Sequence, residues 1–122
     1  MTKLESLIKD LKKANQKLKE AVKANPTRMN KDATIQRFEF TFELAWKTIQ
    51  VYIKNQGLEC KSPKSCIREG VRLEIIDNLE SWFEFLDNRN FIAHTYNEKL
   101  ADKVYKKVIN FPKEIENLLK NL

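Results

Sequence analysis

Apolar residues recur every three or four positions along almost the whole chain, and only 2 Gly and 3 Pro interrupt 122 residues. That period stacks side chains on one side of an α-helix, whereas a half-buried strand would need alternation. A fold built on tight turns would need more Gly and Pro. Leu, Lys, Glu and Ile are abundant, and summed over a long segment they suit helices. The pattern predicts an all-α protein: one domain over residues 1–122, folded as an up-and-down bundle of four main helices plus one short helix. Apolar residues are 42% of the chain, enough for one modest core.

The first helix runs from about Thr2 to about Ala24. Its buried stripe includes Leu4, Leu7, Leu11, Ala14 and Leu18, and Thr2 with Glu5 fits a capping box. Asn25-Pro26 ends it, because the residue before proline avoids the α region. The second helix runs from about Lys31 to Asn55 and stops at Gly57. One stripe is Ile35, Phe38, Phe42, Ala45, Ile49 and Ile53. A second is Phe40, Leu44 and Val51, with Trp46 close by. Two apolar faces suit a helix that packs inside its domain and also against a partner. The alternative is a central helix surrounded by its own chain.

Ser62 caps and Pro63 opens a short helix from Lys64 to about Arg72. Lys64, Arg68 and Arg72 form one basic ridge on it, which by itself reads as a solvated face. The fourth helix spans about Asp77 to Thr95. The fifth starts at Asn97, capped by Asn97 or Thr95, and reaches the C-terminus with a kink at Pro112.

Several classes are excluded. No apolar run approaches the ~20 residues of a membrane span, and the N-terminal MTKLESLIKDLKK is too charged for a secretory signal. The expected location is the cytoplasm. Cys60 and Cys66 match no common zinc spacing, and the chain has 1 His. Neither a metal nor a cofactor is expected. In a reducing compartment both cysteines are expected to be free thiols. The net charge of +6 favours nonspecific contact with nucleic acid, although Lys-rich helix faces are also common in soluble proteins with no such role.

The segment Arg89-Asn90-Phe91-Ile92-Ala93-His94-Thr95-Tyr96 carries the candidate chemistry. With Trp82 as zero on an ideal helix, Leu86 falls near about +40°, Arg89 near −20° and Tyr96 near −40°, inside the apolar stripe. Asn90 and His94 fall on its flank, near about +80° and +120°. An arginine there must meet an anion, an acidic partner or a wet groove, because burying an unpaired guanidinium is very costly. Arg89 and His94 together suit metal-free phosphodiester chemistry. The imidazole can take a proton from a ribose 2′-hydroxyl or give one to a leaving oxygen. The guanidinium can stabilise charge on the phosphoryl oxygens, with Asn90 in a supporting, orienting role. The structural alternative is an Arg89 pair with Glu39 or Glu43 of the second helix and a surface His94.

Arg89-x4-His94, with the polar Asn90 after the Arg, resembles the R-x4-H motif of the HEPN superfamily. With Tyr96 it resembles the R-x4-H-x-Y of the HepT-like branch. The stretch from Ile35 to Lys47 is similar to the hallmark segment of the nucleotidyltransferase substrate-binding protein family. So are Ser62-Pro63-Lys64 followed by Ile67-Arg68-Glu69, and Trp82 placed before Arg89-Asn90. The resemblance covers nearly the whole chain in the right order. It implies a homodimeric HEPN-like bundle that assembles with a minimal nucleotidyltransferase as its substrate-binding partner, in a module of toxin–antitoxin type. Related members imply a second activity: metal-independent cleavage of RNA at Arg89 and His94 in the dimer cleft, silenced when the partner adds AMP to Tyr96.

Overall fold

The computed structural model describes residues 1–94 and 97–122, with His94 described in its backbone only. Six helices follow one another: α1 (Lys3–Lys23), α2 (Arg28–Asn55), α3 (Pro63–Arg72), α4 (Leu79–His94), α5 (Glu98–Val108) and α6 (Phe111–Lys120). There is no strand among the described residues. The chain is therefore an all-α bundle, with α3 the short member. α1 lies along α2, α2 also meets α3 and α5, α3 packs on α4, and α6 returns to α1.

Local chemistry sets most of the boundaries. Thr2 caps α1 by accepting from the Glu5 N–H at 3.1 Å. The capping box expected there is only half formed, because the Glu5 carboxylate takes the Thr2 hydroxyl rather than a backbone N–H. The reciprocal box occurs instead at α3, between Ser62 and Ser65, with Pro63 in the first turn as anticipated. α2 begins three residues earlier than expected, because Thr27 accepts from the Asn30 N–H. It closes at Gly57, whose φ of 81° lets Leu58 N–H reach back to the Ile53 carbonyl. Asn97 caps α5, its side chain accepting from the Leu100 N–H, while Thr95 lies outside the described residues.

Two expectations are corrected. The last predicted helix is broken rather than kinked. Pro112 has no N–H, and its ring would collide with the carbonyl four residues back, that of Val108. α5 ends at Val108, and Pro112 sits in the first turn of α6. The second correction concerns Cys60 and Cys66, which are not free thiols but joined in a disulfide with their Cα atoms 5.1 Å apart. The turn that ends α2 and the cap that opens α3 fold the connector back and bring the two together.

The break at Pro112 turns Phe111 into the core, where it is fully buried. Its ring meets Phe38 at 5.0 Å, Phe85 at 4.8 Å, Trp82 at 5.5 Å and Phe42 at 6.0 Å between centroids. Such edge and tilted contacts add to the large apolar area that each ring buries. Around this hub lie Ile35, Ile49 and Ile53 of α2 and Val104 and Ile115 of α5 and α6. Asn15 of α1 donates to the Pro112 carbonyl at 3.2 Å, and Arg28 at the start of α2 binds Asp32 and Asp102.

The second stripe of α2 divides. Leu44 and Trp46 are half-buried against the core, and Phe40 stands out, 63% exposed. The helix is thus enclosed by its own chain on three sides and leaves one outward strip. No helix among the described residues is long and apolar enough to cross a membrane.

Candidate functional site

The site is built where the middle of α2 passes the C-terminal half of α4. The apolar face of α4 sinks Trp82, Phe85 and Leu86 into the core. One turn later the same face carries Arg89 towards α2. Its guanidinium forms a close ion pair with Glu43, from Nη2 to Oε1. The other terminal nitrogen, Nη1, donates to Asn90 Oδ1 at 3.1 Å. The guanidinium also lies over the Phe42 ring, 6.0 Å from its centroid. Glu43 is held in turn: its Oε2 accepts from Trp46 Nε1 at 3.0 Å. The side chains of Arg89 and Glu43 keep 28% and 35% exposure. The pair therefore stands at the rim of the core, and water reaches it.

Of the alternatives open for Arg89, the acidic partner is the one realised, and of the two acids weighed it is Glu43. Glu39 stands one turn away on the same side of α2. Burial pushes its carboxyl above the usual carboxylate range, the Arg89 charge pulls it back, and Glu43 adds to the rise. Two carboxylates and one guanidinium thus share the rim, which disfavours a second ionised carboxylate beside the pair.

Asn90 is exposed, and its side-chain oxygen accepts from Arg89. The His94 side chain, Thr95 and Tyr96 lie outside the described residues, and α4 reaches His94. Trp46 and Phe42 are site residues that the sequence reading assigned to packing. The three-residue spacing of Glu43 and Trp46 on one helix was the available signal for the first. Nothing in the sequence pointed to the second.

A helical bundle with a guanidinium at the rim of an α2–α4 seam defines the general class. The comparisons define the family. Residues 6–122 match the model of the family described as nucleotidyltransferase substrate binding protein like, and the chain belongs to that family. A crystal structure of a Thermus thermophilus protein is similar to it at a TM-score of 0.84 and 34% identity, covering 90% of this chain and 96% of that one. A Haemophilus influenzae protein, whose structure is described as revealing the fold of a substrate binding domain of a nucleotidyltransferase, is similar at a TM-score of 0.65 and 25% identity. That match covers 96% of this chain and 94% of the other. The chain is also 30% identical over 93 residues to a protein of Haemophilus influenzae named probable ribonuclease HepT; the match takes in 72% of this chain and 64% of that relative's length.

Proposed function

We propose that this protein is the helical substrate-binding partner of a minimal nucleotidyltransferase, and that it works in the cytoplasm as a homodimer of single-domain subunits. Membership of the family over residues 6–122 carries this reading. The exposed Phe40 of α2 supports the dimer, since it is a large apolar ring without cover in one chain, set among the exposed polar residues Gln36, Arg37 and Lys47. The test is co-purification with a tagged minimal nucleotidyltransferase encoded beside it. A stable complex is expected, and two proteins that elute apart from a folded mixture would overturn the reading.

A second reading is favoured by the relative named as a ribonuclease: a metal-independent endoribonuclease using Arg89 and His94, with Asn90 in support. Arg89 would offset charge on the scissile phosphate and His94 would take the 2′-hydroxyl proton, so that the 2′-oxygen bonds to phosphorus while the P–O5′ bond breaks and the leaving 5′-oxygen takes a proton from water. Addition of AMP to Tyr96 would place negative charge beside Arg89 and block that phosphate. Cleavage of RNA in EDTA by the wild type, and by neither Arg89→Ala nor His94→Ala, is the expected result. Labelling by the partner with ATP should vanish in Tyr96→Phe.

A further inference from the structure

We propose that Lys64 and Arg68, held together over the ring of Phe83, clasp the phosphates of a single RNA strand that runs along α4 towards Asn90. The inference extends the ribonuclease reading by adding a binding surface outside the motif. Lys64 Nζ lies 5.6 Å from the Phe83 centroid and Arg68 Cζ 5.5 Å from it. Covering an aromatic face with an aliphatic stem explains one such cation. Two cations brought to one ring repel each other unless an anion joins them.

Among the described residues no hydrogen bond or ion pair joins Lys64 or Arg68 to a carboxylate. The third member of the ridge, Arg72, is paired with Glu69 at 2.9 Å. On α4, Glu84 is taken by Lys107. Glu80 and Asp87 lie three residues before and four after Phe83 on α4, and among the described residues neither is bonded to Lys64 or Arg68. The first turn of α3 contains no acidic residue, although a helix N-terminus favours one.

Phe83 and Asn90 are seven residues apart on α4, which places them about 10 Å apart along the axis and within about 20° of one face. A strand held at the clasp therefore reaches the rim of the Arg89 site within a few nucleotides. Arg68 offers a planar fork for phosphate oxygens and Lys64 a point charge. An acidic protein is the poorer fit. Both cations are exposed and the ring lies beneath them, whereas protein interfaces are depleted in lysine and centre on exposed apolar groups.

The experiment is fluorescence anisotropy of a short labelled single-stranded RNA with the purified full chain across a salt series. Lys64→Ala/Arg68→Ala should bind about tenfold or more weakly, with a log–log salt slope shallower by about 1.4, or about 0.7 for each lost phosphate contact. Lys64→Gln/Arg68→Gln should behave the same way while keeping the side-chain bulk. Lys9→Ala/Lys12→Ala on α1 removes the same net charge and should leave the slope nearly unchanged. Circular dichroism checks that each variant is folded. Clasp variants that bind RNA like the wild type would overturn the clasp and leave the ribonuclease reading standing. A folded wild type that binds no RNA would overturn both. Normal RNA binding with loss of the nucleotidyltransferase complex would make the ridge a protein dock and overturn the clasp alone.

Discussion

Arg89 and Glu43 meet at a position where water still reaches them, and this sets the size of their coupling. A fully buried pair broken on one side costs several kcal/mol, and an exposed pair costs less than one. With roughly a third of each side chain exposed, Arg89→Ala should destabilise by about 1–2 kcal/mol. The double variant Arg89→Ala/Glu43→Ala should cost less than the sum of the single changes. A urea-denaturation cycle measures this, and strict additivity would remove the pair from the account. Glu39 gives a pH-dependent counterpart. Its folded-state carboxyl lies above the usual range, so the native state holds the proton more tightly than the unfolded chain does. That contribution is present below the ordinary carboxylate range and is lost as pH rises through the raised value. Glu39→Gln should therefore be more stable than the wild type at neutral pH, and the advantage should fade in acid. That Arg89 must meet an anion, an acidic partner or a wet groove was legible from its place in an apolar stripe. The choice between Glu39 and Glu43 was not, because both lie on the facing side of α2 and only the packed distance separates them.

At the scale of elements, the starts of helices were easier to read than their interruptions. Ser62-Pro63 announced α3 because a hydroxyl and a fixed φ act locally. Thr27 was missed because Asn25-Pro26 was read only as the end of the first helix, although the Thr27 hydroxyl opens the next one. Pro112 was seen, but its consequence was understated. A kink preserves the direction of a stripe, whereas a break resets it, and the reset is what buries Phe111. The cysteines were judged by compartment, an argument about surroundings that says nothing of how close a folded connector brings two thiols. Their link ties the connector to α3 across a sequence separation of 6. Reducing it, or making Cys60→Ser/Cys66→Ser, should lower stability by about 2 kcal/mol through the freedom returned to the unfolded chain. The urea midpoint should fall while the helical content is retained. A wild type indifferent to reductant would leave the bond without energetic weight.

For the whole molecule, periodicity alone foretold a bundle, and α2 as a helix with two apolar faces. How much of that second side the chain itself would cover depended on where the other helices cross it, which no local pattern encodes. Phe40 is what stays uncovered. Phe40→Glu should convert a dimer into a monomer in sedimentation equilibrium with little change in melting temperature, because that ring contributes little to the core of one chain. A wild type that sediments as a monomer at every concentration would remove the dimer. The Phe111 hub has a consequence for how the protein comes into being. Phe38, Phe42, Trp82 and Phe85 all close on a ring that is translated after every one of them. Until that residue is made, the growing chain has helices with wet aromatic faces and no centre to bring them together. The core therefore cannot close before Phe111 has been made, and the growing chain exposes adhesive surface until then.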